Sequence, residues 1–208
     1  MTEIQIVSVD APLSRQTLLA KAFGLVLRAT AVGLLSGRER VDRLDLALLH
    51  EIARNAAAAG IGKDAALAML EGDLSPTRLA TLIERLDEAL IGSPLPDREL
   101  RQLRLTFELD QLASLLGTSE VSLRRYLAGS RDVPDALAAR AHWLALVVAD
   151  LGGAYNQIGV RRWFERPRAQ LDGHSPREAL GANWTPDGAP AAAIQGLAAA
   201  LVGAAAAT

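Results

Sequence analysis

The chain of 208 residues contains no cysteine, which excludes disulfides, thiolate nucleophiles and cysteine-ligated zinc. Aromatic residues are only 4%, although half of all residues are hydrophobic, so the core has to be built from Leu, Ala, Val and Ile. β-Branched residues are sparse outside the N-terminus, and Ala and Leu head the helix scale, so the composition predicts an all-α protein. No excess of either charge is present: the net value is -2, and any contact with nucleic acid has to come from a local patch. No basic leader with an apolar run and a small-residue cleavage site opens the chain. The most apolar stretch, Thr17 to Leu35, carries Lys21 and Arg28 and two glycines, a poor membrane span. A cytoplasmic location is the expectation.

Charge is unevenly placed. Residues 1–110 hold 13 Lys+Arg against 16 Asp+Glu, and residues 111–208 hold the remaining 9 (22 minus 13, all arginine) against 8 (24 minus 16). The balance therefore moves from -3 to +1 along the chain.

Helical punctuation divides the rest. Ile4, Ile6, Val7 and Val9 form a β-prone run, expected to be an extended arm that pairs only with a partner or a second copy. Ser14 is a candidate cap for a helix over Arg15–Leu35, and a second helix is expected from Glu39 to Ala59, with Val41, Leu44, Leu48, Leu49 and Ile52 on one face. Shorter helices follow over Asp64–Leu70 and from Ser75-Pro76 to Gly92, the second with Leu79, Leu82, Ile83, Leu86 and Leu90 at helical spacing. Ser93-Pro-Leu-Pro-Asp97 is the best linker in the chain. Residues 1–95 are therefore read as an N-terminal helical, oligomerisation-type module, 96–151 as a second module and 152–208 as a third, with Gly152-Gly153 as a hinge. Ala191–Ala207 is either a weak amphipathic helix or a frayed tail.

Within the second module, Leu109–Ala128 reads as helix, tight turn, helix. Leu109, Leu112, Ala113 and Leu116 share a face, Gly117 supplies a left-handed turn, and Ser119 caps a helix expected to carry Val121, Leu123, Tyr126 and Leu127 inward. An ordinary helical hairpin of a bundle has the same spacing. A helix entering the major groove offers its N-terminal end and outer face, here Ser119, Glu120, Ser122, Arg124 and Arg125. Arginine can fork onto guanine O6 and N7, and a glutamate near a polyanion is tolerated where it accepts from cytosine N4. Arg131, just beyond, is placed for a phosphate. One such helix makes few base contacts, so a homodimer on a two-fold site is expected.

No catalytic constellation emerges. His50, His142 and His174 fall on separate elements, with no carboxylate pair at ligand spacing, so neither a metal nor a cofactor is expected. Ser175, followed by Pro176, reads as a helix cap and not as a nucleophile. In Arg161–Arg168 the aromatics Trp163 and Phe164 either anchor a small core or join the arginines in a binding surface.

The hairpin resembles the helix-turn-helix of Xre-type DNA-binding proteins, although Thr118 stands where that pattern is usually aliphatic. Further on, Trp163-Phe-Glu-Arg-Pro167, Leu171-Asp-Gly173, Ser175-Pro176 and Leu180 resemble the toxin-binding domain of Xre/MbcA/ParS-type antitoxins, in the same order along the chain. The joint resemblance spans Leu109 to Leu201, and residues 1–95 have no counterpart in it. It implies an antitoxin that represses its own operon by binding the operator DNA and neutralises a RES-domain toxin, an enzyme that degrades NAD. The toxin-binding residues it implies are Trp163, Arg166, Pro167, Leu171, Gly173, Pro176 and Leu180. The residue-level alternatives are a stand-alone helix-turn-helix regulator and a helical adaptor that does not bind DNA.

Overall fold

The computed structural model describes residues 3–72 and 74–205, with side chains through Leu201. Among the described residues there are eleven α-helices and two short strands, with 65% in helix and 6% in strand, an all-α class with one small sheet. The chain forms two compact units, Met1–Pro94 and Leu95–Thr208.

In the first unit, β1 (Glu3–Val9), α1 (Gln16–Ala31) and β2 (Arg40–Leu44) make a parallel β-α-β turn. The N-terminal run is thus no free arm: Ile4 lies opposite Val41 and Val9 opposite Leu44 in the same chain. Four steps on β1 from Ile4 to Ser8 match two on β2 from Val41 to Arg43, so β1 carries a bulge. The helix expected from Glu39 starts only at α2 (Leu46–Ala58). Val41 and Leu44, three apart and both buried, have a helical spacing. However, Asp45 accepts a hydrogen bond from the Leu48 backbone N–H at 2.8 Å and so fixes the helix start behind them.

α1 departs from expectation at both ends. Its N-cap is Arg15, with no side-chain cap, and Ser14 plays no part in it. It ends at Ala31, because Gly33 turns left-handed and Leu34 N–H returns to Ala29 C=O at 2.8 Å. Val32, Leu34 and Leu35 stay buried beyond the helix end, which is why the apolar pattern runs on. Asn55 Nδ2 donates to the Leu34 carbonyl, 2.8 Å away, satisfying one group of this buried turn.

α3 (Lys63–Leu70) and α4 (Pro76–Ile91) complete the unit. Ser75 and Pro76 start α4 as the sequence predicts, and Leu79, Leu82, Ile83, Leu86 and Leu90 are all buried. α4 packs on α1 and α3, with Arg28 bound to Asp87 across the α1–α4 seam at 3.1 Å.

The second unit comprises α5 (Pro96–Thr106), α6 (Leu109–Leu116), α7 (Glu120–Leu127), α8 (Asp135–Gly152), α9 (Gln157–Glu165), a 3-10 turn over Ala169–Leu171, α10 (Pro176–Leu180) and α11 (Ala189–Ala205). Pro96 and Asp97, read from sequence as linker, form the first turn of α5, where a proline N–H is not missed. α8 is its axis: every residue from Ala141 to Ala149 is buried, and α5, α6, α9 and α11 pack around it. Segments 96–151 and 152–208 therefore share one core, and Gly152-Gly153 marks the end of α8 within it. The alanine-rich stretch is a helix that lays Ala191, Ile194 and Ala198 into this core; its extension to Ala207 lies outside the described residues.

Among the described residues no helix is long and apolar enough to cross a membrane. Asp45→Ala removes the signal that separates β2 from α2. We expect a loss of about 1 kcal/mol in urea unfolding of the full chain, the usual cost of an N-cap.

Candidate functional site

α6, the turn and α7 follow from three local choices. Gly117 sits at φ 64°, ψ 40°, and Thr118 N–H returns to Ala113 C=O at 2.9 Å. Ser119 Oγ accepts from the Ser122 backbone N–H at 3.1 Å and starts α7. Leu112, Ala113, Leu115 and Leu116 on α6, with Leu123 and Tyr126 on α7, are buried.

Val121 is not among them. It is 56% exposed, against the inward position expected for it. At about 100° per residue it lies two positions, or roughly 200°, from Leu123, and so on the far side of α7. It shares that face with Arg124 and Arg125, which are also exposed.

The outer surface of α7 presents the residues singled out from sequence in a definite electrostatic arrangement. Ser119 and Ser122 pair through their hydroxyls at 3.0 Å at the helix start. Glu120 accepts from Arg124 Nη2 at 2.9 Å, an exposed i,i+4 pair worth only about 0.3–0.5 kcal/mol and easily exchanged for a contact outside the chain. The Arg131 guanidinium sits 5.5 Å from the centre of the Tyr126 ring, which tethers the loop after α7. The i,i+4 spacing of Glu120 and Arg124 is the sequence signal for this pair.

The hairpin is held from behind by the later segment. Trp184 Nε1 donates to the Leu115 carbonyl at 2.8 Å, and Arg140 Nη1 donates to the Leu116 carbonyl at 3.0 Å and to Ala182 C=O at 3.4 Å. The Leu115 and Leu116 carbonyls lie in the last turn of α6 and lack helical partners, and a cation there also suits the helix dipole. Trp184 in turn packs edge-on against Trp143 of α8, ring centres 4.8 Å apart. At the other end of α6, Gln111 donates to Glu165 at 2.8 Å, and Arg161 binds Glu108 at 3.0 Å.

The residues assigned to toxin binding divide by burial. Trp163, Leu171, Pro176 and Leu180 are buried and build the module, while Arg166, Pro167 and Gly173 are exposed. Phe164 is also buried, edge-on to Phe107 at 5.4 Å, so both aromatics of the stretch anchor the core. Glu165 is gripped by Arg177 Nε at 2.9 Å. Ser175 is a helix cap: it forms a capping box with Glu178, whose carboxylate accepts from the Ser175 backbone N–H at 2.8 Å.

Sequence reasoning missed a buried pair between α5 and α8, where His142 Nδ1 lies 2.6 Å from Glu99 Oε1 and Glu99 is fully buried. Glu99 and His142 are 43 residues apart, so no local spacing could announce it. Among the described residues no group of acidic residues and histidines is placed to hold a metal ion.

Two outcomes test this geometry. A methyl group on Gly117 would come within 2.4 Å of the Ala182 carbonyl oxygen and 2.5 Å of Arg140 Nη1, at a positive φ. Gly117→Ala should therefore destabilise the second unit by more than the roughly 1 kcal/mol of left-handed strain alone, read by thermal unfolding. Glu178 is held below its ordinary pKa, chiefly by the Ser175 backbone N–H and then by the Ser175 hydroxyl. Its contribution is complete above the ordinary glutamate range and is lost as pH falls through the depressed folded value. The unfolding-midpoint difference between wild type and Glu178→Gln should accordingly be constant near neutrality and shrink in acid.

No family model, curated protein or solved structure matches the chain.

Proposed function

We propose that this protein is a cytoplasmic antitoxin and not an enzyme: a DNA-binding repressor of its own operon that also neutralises a RES-type toxin by direct binding. The observation that carries the DNA-binding half is the outer face of α7. It exposes Arg124 and Arg125 on the side of a capped helix opposite the one locked into the core, with Ser119 and Ser122 at its N-terminal end. Such a helix can enter the major groove with its N-terminal residues forward. Exposed Val121 supports this reading, since an apolar side chain at the groove floor can meet a thymine methyl. Glu120 is compatible with it because Arg124 offsets its charge. Arg131, tethered on Tyr126, is the phosphate contact.

The toxin-binding half rests on the resemblance of residues 163–180. With Trp163, Leu171, Pro176 and Leu180 in the core, the contacts fall to the exposed members, Arg166, Pro167 and the loop at Gly173. A homodimer on a two-fold operator remains the proposed assembly.

Arg124→Ala/Arg125→Ala should abolish sequence-specific binding to the promoter of its own operon and flatten the dependence of the residual binding on salt, measured by fluorescence anisotropy across a salt series. Unchanged promoter affinity in that variant would remove α7 as the recognition helix and favour the helical adaptor. Co-expression with the adjacent gene tests the second half, with growth rescue as the expected result.

A further inference from the structure

Arg168 differs from Arg162 and Arg166 beside it in being half-buried where they are exposed. Arg161, Arg177 and Arg124 of the same unit each have a carboxylate within 3.0 Å. Arg168 is half-buried and has no carboxylate partner among the described residues; the one hydrogen bond from its side chain among them is a long one, 3.4 Å from Nη2 to the Trp163 carbonyl. Its Nε is buried without an acceptor, and so is Nε1 of Trp163, the indole over which its guanidinium sits at 4.3 Å. Burial pulls its pKa down from the ordinary arginine value, and the charge of Arg166 acts in the same direction. A cation taken partly out of water without a counter-ion is costly, and a protein that keeps one in place has a use for an anion there.

The side chain is also held ready. Its backbone is tied twice, by Arg168 N–H to His174 C=O and by Gly173 N–H to Arg168 C=O, both at 3.0 Å, and the indole fixes the guanidinium. A guanidinium oriented in advance loses less freedom on pairing than a free one, and its planar fork matches a carboxylate.

The surroundings favour a protein over a nucleic acid. Tyr155 is 40% exposed and packs on Gly159 of α9, whose lack of a side chain makes the room. Ile158 and Pro167 are exposed in the same segment.

We propose that Arg168, stacked on Trp163 in a segment that also exposes Tyr155, Ile158 and Pro167, is a receptor for a single side-chain carboxylate presented by a protein partner. This rests on the reading of residues 152–208 as a partner-binding segment and names the chemistry of its anchor. The receptor lies apart from the α7 surface in sequence and takes no role in reading DNA.

The test uses the full chain and follows the Trp163 indole N–H and the Arg168 Nε–H by heteronuclear NMR. The probes, at matched ionic strength, are acetyl-Leu-Glu-Leu-amide, its Gln counterpart, inorganic phosphate and a short DNA duplex. Saturable shifts of both signals with the Glu peptide, absent with the Gln peptide, are expected. Arg168→Gln should abolish the indole shift and Arg168→Lys should retain a weakened one, with unchanged near-UV circular dichroism in both. Equal shifts with the two peptides, no shift with either, or a stronger response to phosphate or duplex would overturn the proposal. Against the adjacent gene's toxin, Arg168→Gln should bind at least tenfold more weakly while promoter affinity is unchanged; full-strength toxin binding by that variant would also overturn it. A wild-type chain that takes the Glu peptide and ignores the toxin retires the toxin and leaves the receptor standing.

Discussion

The second unit depends on how the last carbonyls of α6 are satisfied. A helix that ends at a buried turn leaves polar groups that water cannot reach, and each one left alone costs about 1–3 kcal/mol. Here the Trp184 indole and the Arg140 guanidinium supply the donors, to Leu115 and Leu116. Both come from outside the hairpin, one from α8 and one from the turn before α11. Gly117 must then lack a side chain for two reasons at once: its positive φ, and the Ala182 carbonyl lying where a methyl group would stand. The hairpin that presents Arg124 and Arg125 is thereby completed by residues as distant as Trp184.

This arrangement has a functional consequence for the proposed antitoxin. A helix-turn-helix that stood on its own could be separated from its partner-binding segment at Gly152-Gly153. In this chain α6 is stitched at both ends to residues beyond Gly153, by Gln111–Glu165 and Arg161–Glu108 on one side and by Trp184 on the other. Glu165 is also gripped by Arg177 at the start of α10, so a displacement of α9 or α10 would be felt at α6. Coupling of this kind requires a physical path of contacts, and the side chains that would carry it can be named one by one.

What the sequence revealed followed the range of its signals. Caps and periodicity act within about four residues, and they agree with the structure at Ser75-Pro76 with the α4 stripe, at Gly117, at Ser119 and at the Ser175 cap, though not at Ser14, which caps nothing. Val41 and Leu44 misled because a spacing of three suits a helix, and only pairing with β1, some 35 residues earlier, makes them a strand. Val32, Leu34 and Leu35 misled because burial continues where the helix does not. The Glu99–His142 pair and the Trp184–Leu115 bond span 43 and 69 residues and leave no local trace.

Val121 and Arg168 show how the candidate site escapes a reading based on residue type. A valine in an amphipathic window is assigned inward by its chemistry, but the geometry of α7 places it on the outer face. An arginine in a basic run is assigned to solvent by the same habit, yet Arg168 is half-buried on an indole while Arg162 and Arg166 are exposed. In both cases the departure from type is informative, because an exposed apolar group and an uncompensated cation each leave free energy for a partner to recover. Under the proposed receptor, Trp163, which the family resemblance marks as a binding residue, would act through the guanidinium it supports, being buried itself.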